Sequence, residues 1–288
     1  MGEMVALIGV GKMGRALLHR LKLQGHDVAA FDIASEPMET ARALGAETAA
    51  SSAEAAQAAA IVHVFVHNDQ EVFDATLGPA GVLEGAKPGT LVLLHSTILP
   101  ATTFRVAEAA GTRGIDVLDA AVTSVPRRLQ AGEGNFLVGG REELVTRARA
   151  HLLPLGKSVH HFGPLGAGNT AKIAKNLTNA VERVMLAECV RIVETAGLDV
   201  SQFLNMARDA SSGAMVQTWE RFIRFDDAGH AGPARARGLL SKDVQHAARV
   251  AGELGLDLPV TRATAETALK WLAAWAEEPA SGPAKDAG

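Results

Sequence analysis

The chain has 288 residues, 48% of them apolar, with a formal net charge of −4 and a pI near 6.2. That length carries one large or two modest domains, and the acidic balance argues against a nucleic-acid footprint, which is normally basic. The single cysteine, Cys189, excludes an internal disulfide framework and suits a reducing compartment. No apolar run approaches the roughly 20 residues of a membrane span. The opening MVALIGVG lacks the basic leader and cleavage pattern of a signal peptide. The expectation is a soluble, cytoplasmic protein.

Up to residue 162, short β-branched runs alternate with Ala-rich helical stretches. The runs are MVALIG, DVAAFD, IVHVFV, TLVLLH, IDVLDAAV, NFLVGG and SVHHFG. Such alternation predicts βαβ units and a doubly wound, largely parallel sheet of α/β class. From Asn169 the strand pattern stops and amphipathic patterns dominate, beginning with AKIAKNLTNAVERVMLAECVRIVETAG, which Gly197 ends in C′ fashion. Asn169 is expected to cap that helix. The predicted organisation is a dinucleotide-binding domain over 1–162 and an all-helical domain over 163–276, joined by a long helix. A Pro/Gly/Ala-rich flexible tail follows over 277–288.

The first strand runs into GVGKMG, which places Gly9, Gly11 and Gly14 between a strand and a helix. This is G-x-G-x-x-G in the context it requires. The first glycine allows the tight turn, the second admits a pyrophosphate, and the third lets helix and strand pack closely. The diphosphate then lies on the free N–H groups and positive dipole end of the helix. Asp32 ends the second strand, where a carboxylate holds an adenosine ribose 2′-OH and repels a 2′-phosphate. The IASEP that follows offers no arginine for such a phosphate. NAD is therefore favoured, with NADP as the second candidate; a glycine turn with a surface aspartate is the bland alternative.

The stretch GPLGAGNTAKIAKN, residues 163–176, opens the helical half. Lys172 and Asn176 share a helix face, with Lys175, Asn179 and Arg183 on or near the same stripe. This pattern fits either a solvated helix face or a catalytic one. When hydride leaves a carbinol carbon for a nicotinamide, the oxygen must shed a proton. A desolvated lysine beside the positive ring has its pKa drawn toward neutrality and suits that task. A neighbouring amide orients the lysine or donates to the developing alkoxide.

These motifs make the chain similar to the β-hydroxyacid dehydrogenase family over about residues 4–275. GVGKMG resembles its G-x-G-x-M-G cofactor loop, bringing in Lys12 and Met13. HSTILP, with Ser96 and Thr97, resembles its S-T-x-x-P cofactor loop. DAAVTSVPRRLQAGEGNFLVGG, from Asp119 to Gly140, resembles its substrate segment. GAGNTAKIAKN resembles its catalytic segment, and Lys242–Asp243 resembles a late K-D-L motif near the nicotinamide. The resemblance implies that Lys172 is catalytic and Asn176 its amide partner. It implies that Lys242 approaches the nicotinamide or substrate, and that Thr123, Ser124 and Val125 line the substrate pocket. The substrate implied is a small, anionic hydroxy acid or its semialdehyde. Homodimers, or dimers of dimers, built through the helical domain are implied as well.

The substrate segment departs from the family's D-A-P-V-S-G-G. Ala121 replaces its proline, Thr123 its serine, and Ser124 and Val125 its glycines. A valine there narrows the pocket and disfavours positive φ, while Pro126 removes an N–H. Arg127 or Arg128 holds an anionic group of the substrate, or the two form a surface pair. Lys175 stands where the first of two asparagines usually lies. NADP-dependent imine reductases share the architecture but usually replace the lysine; 6-phosphogluconate dehydrogenases match the first domain but are much longer. A dinucleotide-binding module without catalysis is the reading from another class. No metal is expected: His63 and His67 are read as one face of one strand, roughly 13 Å apart at about 3.3 Å per residue. His160 and His161 point to opposite faces, and Cys189 is a small buried hydrophobe. Trp271 and Trp275 share a helix face expected to pack in the core or a dimer.

Overall fold

The computed structural model describes residues 4–210, Met215, Gln217 and 239–277. The chain divides into two compact units, Met1–Lys172 and Ile173–Gly288. The division falls inside one long helix, whereas the sequence pattern changes at residues 162 and 163.

The first unit is an eight-stranded sheet in the order β3-β2-β1-β4-β5-β6-β7-β8. Its strands are β1 (Met4–Ile8), β2 (Asp27–Phe31), β3 (Glu47–Thr48), β4 (Ile61–Val64), β5 (Leu91–Leu94), β6 (Asp116–Thr123), β7 (Asn135–Gly139) and β8 (Ser158–His161). All pairs are parallel except β6 with β7. All seven expected runs are strands. The two-residue β3 is too short to carry a pattern. Helices α1 (Lys12–Leu23), α2 (Ser35–Ala43), α3 (Ser52–Ala56), α4 (Asp69–Leu77), α5 (Val82–Gly85), α6 (Pro100–Gly111), α7 (Pro126–Gln130) and α8 (Glu142–Leu152) connect them.

Period two along β1 shows why the sheet is covered on both faces. Val5 and Leu7 pack with Leu17, Leu18 and Leu21 of α1 in one core, while Ala6 and Ile8 pack with Val92, Leu94 and Val106 in the other. A strand buried on both sides reads as a continuous apolar run, as MVALI does. The order reverses at β1, between β2 and β4, which opens a crevice beyond their carboxyl ends.

Helix α9 (Ala167–Thr195) has 29 residues and is about 44 Å long at 1.5 Å per residue. It ends as predicted: Gly197 adopts φ +72°, and its N–H and that of Leu198 bond the carbonyls of Glu194 and Val193. Its start differs from expectation. Asn169 lies inside the first turn and is no cap; the acceptor there is Asp119, described below. The second unit continues with α10 (Val200–Asp209), a π-helical turn at Leu239–Asp243, α11 (Val244–Glu253) and α12 (Pro259–Glu277). Its core gathers Ala180, Leu186, Leu204, Leu240 and Ala268. The tail from 278, and the side chains of Trp271 and Trp275, lie outside the described residues.

Candidate active site

The glycine loop after β1 is built as its spacing predicts. Gly9 has φ +91°, and a Cβ there would lie 2.4 Å from the Phe65 carbonyl oxygen. On Gly14 it would lie 2.0 Å from the Gly9 oxygen, so this glycine sets the approach of α1 to the strand. At Gly11 a Cβ would meet only His67 Nε2, at 4.0 Å. That open side is where a diphosphate has room. Helix α1 begins beside it with no side-chain cap and no acidic residue in its first turn, which leaves its N–H groups for an anion. Lys12 is exposed at the helix start, and Met13 packs on the core.

A cavity of about 650 Å³ lies at the crevice, lined by Gly9, Gly11, Asp32, Val66, His67 and Glu71, among others. Asp32 is held from two sides: Oδ2 accepts from Val10 N at 2.7 Å and Oδ1 from Ala34 N at 3.0 Å. Both oxygens keep lone pairs for a ribose hydroxyl. Arg15 bonds the Val10 carbonyl through Nε and pairs with Glu36. Ser96 is buried; its hydroxyl donates to Val66 O at 2.7 Å and accepts from Val66 N at 3.1 Å, so it braces a residue of the cavity wall. Thr97 is partly buried beside it. These residues fit an NAD(P) molecule: an uncapped helix end, an open glycine and a carboxylate that lines the cavity.

At the end of β6, Thr123 buries its hydroxyl without a hydrogen-bond partner. A buried hydroxyl of that kind is expected to find one. Ser124 Oγ donates to Val125 O at 3.2 Å. The departures from the family pattern fit this backbone. Val125 has φ −111°, extended and open to any residue, and Pro126 takes the N1 position of α7, where an N–H has no helical partner. Arg128 pairs with Glu133, and Arg127 is exposed.

Lys172 is 8% exposed on α9 and belongs to the first unit. Asn176, one turn on, lies in the second unit and donates through Nδ2 to Asp243 Oδ2 at 2.7 Å; Lys242 Nζ is 2.8 Å from Asp243 Oδ1. The late KD pair and the catalytic-segment amide thus meet through one carboxylate. Burial lowers the pKa of Lys175, with the neighbouring Arg183 charge adding to it. Burial also brings Arg183 down to about 10.

Three histidines form a network that the sequence did not reveal. His63 is in β4, but His67 lies beyond its end at Val64, so the two share no strand face. Instead His63 Nδ1 bonds His95 Nε2 at 2.8 Å, and His63 Nε2 bonds His151 Nε2 at 2.9 Å; His95 Nδ1 bonds the Ala120 carbonyl at 2.7 Å. The partners are 32 and 88 residues away in sequence, beyond any local pattern. Among the described residues no group of histidine, cysteine and carboxylate side chains is arranged to hold a metal.

Two family models match the chain. The one described as the NAD binding domain of 6-phosphogluconate dehydrogenase covers residues 4–163. The one described as NAD-binding of NADP-dependent 3-hydroxyisobutyrate dehydrogenase covers residues 166–280. The 2-(hydroxymethyl)glutarate dehydrogenase of Eubacterium barkeri is 30% identical over 89% of this chain and 85% of its own. The NAD-dependent L-serine dehydrogenase of Pseudomonas aeruginosa is 33% identical over 73% of this chain and 71% of its own. Among solved structures, Mycobacterium tuberculosis 3-hydroxyisobutyrate dehydrogenase with L-serine superposes with a TM-score of 0.78 at 26% identity, covering 98% of each chain. Fold, cofactor crevice and relatives define an NAD(P)-dependent oxidoreductase acting on the CH–OH group of a small molecule. The chain belongs to the β-hydroxyacid dehydrogenase family.

Proposed function

We propose that this enzyme oxidises a small anionic β-hydroxy acid to its semialdehyde, or runs the reverse reaction, with Lys172 as general acid/base. The observation that carries this is the buried Lys172 in the same unit as the cofactor crevice and the unpartnered Thr123 hydroxyl. Bound nicotinamide supplies the hydride acceptor. Thr123 donates to or accepts from the substrate, with Ser124 and Val125 shaping the pocket wall. Lys172 Nζ takes the proton of the carbinol oxygen and returns it in reduction. Asn176 and Lys242 are tied to each other through Asp243 within the second unit. Two of the relatives are named for acids that carry a hydroxymethyl group, 2-(hydroxymethyl)glutarate and L-serine, which supports this substrate class. A panel of β-hydroxy acids with NAD, followed by nicotinamide absorbance, should give turnover with at least one member. Reduction of cyclic imines alone, or no turnover of any kind, would reject this reading.

NAD is the preferred coenzyme in this proposal. Asp32 repels a 2′-phosphate, and Arg15 is engaged by Glu36 and the Val10 carbonyl. Replacing Asp32 with serine is expected to raise kcat/KM with NADP relative to NAD at least about tenfold, or about 1.4 kcal/mol. An unchanged ratio in steady-state kinetics would remove Asp32 from coenzyme choice.

A homodimer built through the second unit, in the cytoplasm, completes the proposal. Ile192, Leu198 and Met206 expose apolar side chains there, Ile192 to 68%, the kind of surface that marks an interface. Ile192→Asp should convert the species seen by light scattering after size exclusion from dimer to monomer. A wild-type monomer would refute the dimer.

A further inference from the structure

Asp119, the first residue of the segment that resembles the family's substrate segment, is fully buried. It stands on β6 opposite Gly139 of β7. Its Oδ1 accepts from Gly166 N and its Oδ2 from Asn169 N, each at 2.7 Å. Those two N–H groups bracket the start of α9 at Ala167. A carboxylate at the positive end of a helix is electrostatically placed. These bonds oppose the rise that burial imposes on the pKa of Asp119.

The surroundings are cleared for this contact. A Cβ on Gly139 would lie 2.6 Å from Asp119 Oδ1 and 2.8 Å from Ala167 N. On Gly168 it would lie 2.4 Å from the Leu137 carbonyl oxygen and 2.7 Å from Asp119 Oδ2. Gly166 takes φ +86°. A second brace acts on the same turn: Thr103 Oγ1 donates to Asn169 Oδ1 at 2.7 Å, with both residues fully buried. Lys172 follows Asn169 within one helical turn. The carboxyl end of β6 carries Thr123, on the same strand face as Asp119 by period two. One strand therefore references both the lysine and the residue assigned to the substrate.

We propose that Asp119 is a positioning residue for Lys172: its paired oxygens fix the first turn of α9 against β6, and through that turn the lysine. The inference rests on Lys172 being the acid/base of the reaction. Asp119→Asn keeps the shape but sets an amide NH2 against one of the two backbone donors. It should lower kcat at least about tenfold, as misplacement of a reacting group does. NAD affinity should stay within about twofold, since the glycine loop is separate.

A double-mutant cycle separates positioning from a merely structural cap. In Lys172→Ala, adding Asp119→Asn should cost no further turnover, because the second change acts only through the side chain already lost. Asp199→Ala, which uncaps α10 where Asp199 accepts from Ser201 N and Gln202 N, should lower stability without changing kcat. Should Asp119→Asn fail to fold, Thr103→Val loosens the same turn and enters the same cycle. A wild-type kcat in the folded variant, or losses that multiply with Lys172→Ala, would overturn the positioning role. If Lys172→Ala itself turns over like wild type, the acid/base assignment fails first, and that result is read before any Asp119 variant is made.

Discussion

Lys172→Ala is expected to lower turnover at least about a hundredfold, the lower end for a lost general acid/base, which is about 2.7 kcal/mol of barrier. NAD affinity, measured by fluorescence titration, should survive, because the contacts assigned to the cofactor lie on Gly9, Gly11, Asp32 and the start of α1. The loss should sit in kcat and not in KM, as for an interaction made chiefly in the transition state. Lys172→Arg sharpens the point. A guanidinium keeps the positive charge but does not release its proton in a protein, so a residue that only attracts an anion would be rescued by arginine while a base would not. Small primary amines in solution should restore part of the activity of the alanine variant. Turnover within about threefold of wild type would place the proton transfer elsewhere.

The parts of this molecule that were legible in the sequence are those with local grammar. Gly9, Gly11, Gly14 and Asp32 were readable because turn, helix start and strand end each demand a residue type at a fixed spacing. Seven strands and the C′ glycine of α9 were readable for the same reason. What was not legible depends on partners far apart in sequence. Asn169 looked like a cap because its type favours one; in the fold the acceptor is supplied by Asp119, 50 residues earlier. The family pattern sets a glycine at the position of Val125, but the extended φ there needs none. The sequence sets His63 beside His67 on one strand face, and nothing local announces that His95 and His151 will meet it.

That histidine chain carries the last prediction. The Ala120 carbonyl can only accept, so His95 is protonated on Nδ1 and, when neutral, offers a bare Nε2. His63 must then donate from Nδ1, which leaves its Nε2 to accept from His151 Nε2–H. His151 Nδ1 ends the chain buried and without a partner, as a lone acceptor would. One carbonyl thus sets three tautomers, and the two accepting nitrogens, His95 Nε2 and His63 Nε2, require those rings to be neutral. Burial lowers the pKa of each: His63 well below the usual 6.5, helped by the neighbouring His151, and His95 and His151 to about 4. In the unfolded chain all three bind protons near 6.5. The unfolded state therefore holds more protons below that pH, and the stability present above it drains as pH falls toward 4, by about 1.4 kcal/mol per pH unit for each ring. His63→Leu removes the middle of the chain. It orphans the His151 Nε2–H donor and the His95 Nε2 acceptor, at about 1–3 kcal/mol each, and should lower Tm near neutral pH by about 5–15 °C. Because one of the titrating rings is gone, the fall of Tm between pH 6.5 and 4 should also be shallower than in wild type. Calorimetry across that range decides it: an unaltered Tm with an unaltered acid slope would mean that the three rings neither hold the sheet to α8 nor report its protonation.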